Sequence, residues 1–347
     1  MPQSSPPASP ATRSPLLRLF GSRSRLWLTV LLFVVGVAIC VLLAVELGAE
    51  SVRATLWDLA HLLPPLLVLE LFRFGSELFS TRLVLRGTPV PWLLLLQGQC
   101  AAHACNHVLP AGRTAGEGLK AALLVPACGG AKAIGVGAAG QIMTLLVNGT
   151  LALIAALVAW YGFEAERESL IFGSYGVLVV LLGVGAVASL RSVLLDALLR
   201  RFRATAGLQQ RVREMAESGA GFGVGALLWQ YAARLCQVLQ LGLLLYALGR
   251  GIRLDLALVA GGVQLVGAAA GDLLPAHMGA TEGAFTLTAA LFGLTASAAL
   301  SLAVVMHVTQ LLFAGLATVA LFILRMVQHS AARRPTTPAA GSTSPGH

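Results

Sequence analysis

His107-Val108-Leu109-Pro110-Ala111-Gly112-Arg113-Thr114-Ala115-Gly116-Glu117-Gly118 interrupts a mostly apolar stretch between residues 87 and 131. Proline and the glycines break a helix, and Arg113, Glu117 and the following Lys120 are charges that hydrocarbon does not accept unpaired. On one side, residues 87–112 carry no formal charge; on the other, apolar residues run to Pro126. The pattern predicts a helical hairpin, two arms joined by a broken turn from Pro110 to Glu117. Irregular backbone of that kind is tolerated at membrane depth only where protein surrounds it.

The composition of the whole chain supports a membrane setting. Of 347 residues, 57% are hydrophobic and 11% charged, whereas a soluble domain carries about 25% charged residues. This excludes an ordinary soluble enzyme, a disordered protein and a secreted disulfide scaffold. It points to an all-α polytopic membrane protein, because a backbone in lipid must satisfy itself within helices. The net charge of +9 does not indicate nucleic acid. Lysine occurs only at Lys120 and Lys132, and the arginines fall mainly in short polar gaps between apolar runs, as the positive-inside rule distributes them. Cys40, Cys100, Cys105, Cys128 and Cys236 all lie in apolar stretches without paired spacing, and read as small hydrophobes rather than disulfides or zinc ligands.

Charge in the gaps sets the topology. Residues 1–25, rich in Pro and Ser with Arg13, Arg18, Arg23 and Arg25, are expected to be a disordered cytoplasmic tail. The uncharged run 26–45 is long enough for a ~30 Å hydrocarbon core and longer than a signal-peptide core. It is expected to remain as a first span. Glu46, Glu50 and Asp58 against Arg53 place the next loop outside. A second span follows over roughly 55–75, kinked at Pro64-Pro65. Arg73, Arg82 and Arg86 against Glu77 then mark an inner gap. The uncharged run 133–160 ends at the acidic Glu164, Glu166, Arg167 and Glu168, so it exits outward. For it to start inside, the hairpin over 87–131 must enter and leave on the inner face, as a re-entrant pair. Residues 169–190 return inward. Residues 191–217 form a basic connection, either an amphipathic helix on the inner leaflet, with Val193, Leu194, Ala197 and Leu198 as its apolar face, or the end of the preceding span.

A span over about 220–249, containing Arg234, leads to a second interruption. Asp272-Leu-Leu-Pro275-Ala-His-Met-Gly279-Ala-Thr-Glu282-Gly283 aligns without gaps on residues 107–118. Leu, Pro, Ala, Ala, Glu and Gly coincide, and Pro and Glu are scarce enough here to carry weight. An arginine precedes each interruption, Arg73 by 37 residues before Pro110 and Arg234 by 41 before Pro275. The uncharged residues 283–324 exceed one span and break naturally at Gly293 to Ser297. The chain then reads as membrane repeats over 26–165 and 166–327 with a C-terminal tail over 328–347, both termini inside. About six full spans and two re-entrant hairpins make an inverted-topology repeat, an architecture common in secondary transporters. The alternative is chance similarity between two Gly/Ala-rich segments.

The intramembrane charges are the candidate functional groups: Arg73, Arg113, Glu117, Lys120, Arg234, Asp272 and Glu282. Helices starting beyond each break would aim positive N-terminal dipoles inward, which with the arginines suits an anion such as a lipid phosphate. The same charges can instead pair with one another and hold the fold, and the two roles are compatible. His103 and His107 sit four apart with Cys105 between them, but no third metal ligand is evident, so they read as helix histidines beside a polar turn. Gly135-Val-Gly137-Ala-Ala-Gly140 follows no strand and reads as close helix packing rather than a dinucleotide loop. The sequon at Asn148-Gly-Thr150 is buried in a span. No Ser-His-Asp, paired-carboxylate or metal motif supports catalysis, and no cofactor is expected.

Asn106-His-Val-Leu-Pro110-Ala-Gly-Arg113-Thr-Ala-Gly116-Glu117 and Leu274-Pro275-Ala-His-Met-Gly279-Ala-Thr-Glu282 resemble motifs in the membrane domain of the lysylphosphatidylglycerol synthase/flippase family. The resemblance covers nearly all the chain between its tails. It implies a multi-span inner-membrane protein, some of whose relatives move or expose phospholipids across the bilayer. It also implies roles for Asn106, Pro110, Arg113, Gly116 and Glu117, and for Pro275, Gly279 and Glu282. The chain departs from the family pattern by two extra residues in the first turn and by Ala276, His277 and Met278 in the second. The synthase activity of fused members belongs to a soluble C-terminal domain, so it is not expected here. The expectation is an inner-membrane lipid translocase whose partners are membrane lipids with anionic head groups, not nucleic acid, with a homo-oligomer left open. A secondary transporter of a small anion, a lipid-modifying enzyme and an accessory subunit are the alternatives.

Overall fold

The computed structural model describes residues 38, 41–109, 111–191, 223–274 and 277–332. All regular structure among them is helical, and its main elements are α1 (Ala49–Ala60), α2 (Leu63–Val84), α3 (Trp92–Val108), α4 (Gly112–Cys128), α5 (Gly130–Phe163), α6 (Glu166–Arg191), α7 (Val224–Leu245), extended by a π-helical turn at Tyr246–Arg250, α8 (Leu254–Ala270), α9 (Ala280–Leu287), a 3-10 turn at Ala289–Phe292 and α10 (Ala296–Ala332). Most of the expected first span over 26–45, residues 192–217 of the basic connection and the N-terminal tail lie outside the described residues; of the expected C-terminal tail over 328–347, residues 328–332 are helical as the end of α10 and the rest lies outside them.

Among the described residues, four helices are long and apolar enough to cross a membrane: α5, α6 as far as Ser189, α7 with its extension to Arg250, and α10 as far as Met326. The α1–α2 pair, bent by 68°, makes a fifth if it counts as one broken span. The bend falls at His61-Leu62, immediately before Pro64-Pro65 in the first turn of α2, where a missing N–H breaks no helical bond. One sequence expectation needs correction. The inner gap inferred from Arg73 to Arg86 is helical as far as Val84. Arg73 lies between Glu70 and Glu77, one turn to either side, and both carboxylates face it. Neutralised this way, the arginine stays within the helix instead of ending it.

Both interruptions fold as hairpins. α3 and α4 pack against each other across the break at residues 109–111, and α8 and α9 across the break at 271–279. α3 also lies along α10, while α8 lies along α5, so each hairpin's first arm rests on the long helix of the other half of the chain. α2 and α7 pack together between them. α5 and α6 form an antiparallel pair at very close range. A methyl group on Gly149 would meet the Gly176 carbonyl oxygen at 2.9 Å, and one on Gly176 would meet that of Gly149 at 2.9 Å. Small residues let the backbones approach this closely, the usual route to helix adhesion in lipid. A buried apolar cluster including Leu66, Leu244, Val259, Phe285 and Met306 joins most of the helices. Leu170, Leu178, Leu181 and Trp57 face outward, strongly exposed.

Candidate functional site

The two breaks touch each other. The backbone N–H of Ala111, a left-handed residue capping α4, donates to the carbonyl of Asp272 in the second break at 2.9 Å. Beside this link lies a cavity of about 360 Å³, walled by both hairpins and by α2, α5, α6, α7 and α10. Three arginines from three helices reach it: Arg73 on α2, Arg113 on α4 and Arg234 on α7.

Each arginine is held from behind. The Nε of Arg73 donates to both oxygens of Glu70 at 3.0 Å, and its Nη1 lies 3.5 Å from Glu77. Glu77 accepts in turn from the Gln99 amide at 2.9 Å. Arg113 donates to the Thr144 hydroxyl on α5 at 2.5 Å, and Arg234 to the Gln237 amide oxygen. Asp272 is the one carboxylate in the wall, on the exposed side. Buried polar atoms without a hydrogen-bond partner also line the cavity: Nε2 of His107, Nε2 of Gln141 and Oδ1 of Asn148. Like charges sharing a low-dielectric space repel, and an unmet buried donor costs about 1–3 kcal/mol. The Gln141 amide is such a donor, and both costs fall when an anion with several oxygens enters, so the arginines and this amide are chemically suited to a phosphate-like group.

The residues singled out by sequence divide into two groups. Arg73, Asn106, Arg113, Arg234 and Asp272 line the cavity. Gly116, Glu117, Lys120, Gly279 and Glu282 stand outside its lining and build the hairpins. A methyl on Gly116 would meet the Ala102 carbonyl oxygen at 2.5 Å, so only glycine lets the arms cross there. Lys120 is buried and donates to Glu117 at 2.8 Å, with Thr81 and Gln99 at 3.4 and 3.5 Å. It therefore faces α2 and α3 rather than the cavity, with its neutralising carboxylate one turn away on its own helix. Glu282 accepts from the N–H of Gly279 at 2.8 Å, capping α9, and also bonds His307 of α10. Pro110 and Pro275 lie outside the described residues.

Sequence reading missed several groups. Glu70 is the one charge in the apolar run 63–72 and marks itself only as the carboxylate preceding Arg73 by one turn. His307 and Gln310 are polar residues within an uncharged run, and the fold alone brings them to the cavity. Gly137 and Gly140 receive α4, with the Glu117 carboxylate against Gly140, so this glycine pattern is close helix packing. Asn148 lines the cavity while the Thr150 hydroxyl meets Tyr231 at 2.7 Å, so both sequon side chains have interior contacts. Cys100, Cys105, Cys128 and Cys236 are free.

A family model described as "Lysylphosphatidylglycerol synthase TM region" matches residues 26–317. No curated protein and no solved structure matches the chain.

Proposed function

The chain belongs to the family of the lysylphosphatidylglycerol synthase TM region, and from that premise we propose that it is a flippase-like translocase of the inner membrane, moving a phospholipid or lipid-linked substrate whose anionic head group rests among Arg73, Arg113 and Arg234. The observation that carries this reading is the meeting of these three arginines in one cavity beside the linked breaks. Translocation, not synthesis, is the activity assigned.

The same reading takes the two halves as an inverted repeat with both termini in the cytoplasm. Two observations support it. Each hairpin's first arm leans on the final long helix of the other half. The close crossings of the arms also fall at matching places: Ala102 against Gly116 in the first hairpin, Gly267 against Thr281 in the second, each shifted by the 165 residues that align the two motifs. A site at the interface of two such halves can open to either side when one half rocks against the other.

The test is lipid exposure in reconstituted vesicles. Arg113→Gln and Arg234→Gln each remove a charge-assisted contact of about 1.5–3 kcal/mol, so the rate should fall roughly 10- to 100-fold at limiting lipid. Unchanged rates in both variants would overturn the assignment. The volume of the cavity, about 360 Å³, also admits a small free anion, which supports a second reading as an anion transporter. Thermal stabilisation of the purified protein separates the two: anionic lipid head groups protect in the first case, inorganic phosphate in the second.

A further inference from the structure

We propose that Glu70, His103 and His107 form a binding site for a divalent cation of the zinc class, set into the wall of the cavity. His103 and His107 are one turn apart on the same face of α3, with ring centroids 4.8 Å apart. Glu70 reaches them from α2, and its Oε1 lies 3.7 Å from Nε2 of His103. One ligand atom from each residue lies within 4.8 Å of the others. Ligands about 2.1 Å from a tetrahedral ion stand roughly 3.4 Å apart, so small side-chain rotations close the set.

Three further observations favour a cation over plain packing. All three residues are buried, Glu70 at 0%, His103 at 3% and His107 at 6% exposure. Nε2 of both histidines has no hydrogen-bond partner, although buried ring nitrogens are normally paired. His103 does not bond Glu70, because 3.7 Å is too long, and Arg73 already donates to both Glu70 oxygens. The two imidazoles are therefore free to act as lone-pair donors.

The surroundings are those of a metal site. Arg73 and the Gln240 amide, 3.2 Å from Glu70 Oε2, orient the carboxylate from outside, as outer-shell partners do. Phe74 and Phe313 pack edge-on against the His103 ring at 5.8 and 5.1 Å and shield it. Glu70 is the carboxylate that faces the two rings, and Glu77 stands one turn beyond Arg73. Arg73 can lean on Glu77, 3.5 Å away, when a cation takes its share of Glu70. Two imidazoles and one carboxylate select a borderline ion over calcium or magnesium, and leave at least one coordination position open. His107 and Arg73 also line the cavity, so that position is open to water or to an anionic oxygen of the cavity's occupant. This adds to the arginines a means of gripping an anion that sequence spacing did not reveal, and it stands whether the cargo is a lipid or a free anion.

The probe is Zn²⁺ itself. The full-length protein, purified in detergent and stripped with a chelator, is titrated with Zn²⁺ by calorimetry and then loaded with Co²⁺ for visible absorption. One equivalent of tightly bound zinc and the intense d–d bands of a low-symmetry nitrogen/oxygen cobalt site are expected. His103→Asn with His107→Asn should abolish both, while His61→Asn should leave both intact. A wild-type protein that binds no stoichiometric zinc overturns the proposal, as does zinc retained by the folded double variant. If the double variant does not fold, the wild-type stoichiometry and cobalt spectrum decide alone, and octahedral, oxygen-only cobalt bands count against the site.

Discussion

In the first hairpin both arms are 17 residues long, and Glu117 near the start of the returning arm is neutralised by Lys120 on the same helix. In the second, α8 has 17 residues but α9 only 8, and the matching Glu282 binds the backbone N–H of Gly279 and His307 on the next long helix. The glycine that lets the arms cross has also changed sides: Gly116 on the returning arm of the first hairpin, Gly267 on the entering arm of the second. The comparison teaches that the shared motif fixes where the chain breaks and where an acid follows. What satisfies that acid depends on the residues nearby. A lysine one turn later makes a self-contained arm that can be long, whereas an acid spent on its own helix N-terminus and on α10 anchors a short arm to its neighbour.

The largest expected effect comes from breaking the internal pair of the first hairpin. Lys120→Met strands Glu117, one of whose oxygens already has no partner, and removing one member of a buried pair costs about 3–5 kcal/mol. Thermal unfolding in detergent should show a large drop, partly recovered by adding Glu117→Gln. His307→Leu should cost less, because Gly279 still holds Glu282. Equal losses from Lys120→Met and His307→Leu would erase the distinction between the hairpins.

Methyl groups at the two crossings rank next. Gly116→Ala meets backbone oxygen at 2.5 Å, while Gly267→Ala meets its nearest atoms, in α9, at 3.0 Å. Overpacking typically costs 1–3 kcal/mol, and Gly116→Ala should lie at the upper end with Gly267→Ala below it. The reverse order in melting temperature would show that the first crossing yields more readily than its geometry implies.

The smallest effect is expected at the link between the breaks. Ala111 has φ of +50°, a left-handed conformation that disfavours a side chain by roughly 1–2 kcal/mol. Glycine relieves that but adds freedom to the unfolded chain. Ala111→Gly should therefore raise the melting temperature slightly, by a gain of under about 1 kcal/mol. A fall would mean that the methyl group contributes packing that outweighs the strain.

Much of the fold was legible because membrane helices announce themselves by length and charge. The uncharged runs at 133–160 and 169–190, the kink ahead of Pro64-Pro65 and the break near Gly293 all fall close to helix limits in the structure. The cavity was legible in part. Arginines in apolar surroundings are conspicuous, and Arg73, Arg113 and Arg234 do converge. The extent of α2 was not legible, since Arg73, Arg82 and Glu77 look like a loop until Glu70 and Glu77 are seen to flank Arg73 along one helical face. The role of Lys120 was not legible either, because a cation beside a break looks the same whether it faces a ligand or its own carboxylate.

By itself, the sequence determined that this chain is a bundle of apolar helices with two polar breaks, because hydropathy and helix-breaking residues act locally. It also pointed to the family, because the motifs that carry the resemblance are contiguous, and the family match over residues 26–317 agrees. Only the tertiary structure decided which charges share a cavity and which neutralise each other, and that Glu70 meets His103 and His107 across two helices. The physical reason is that an ion pair or a ligand set depends on which faces of separate helices are turned toward each other. That orientation is fixed by packing such as the crossing at Gly116 and the bond from Ala111 to Asp272.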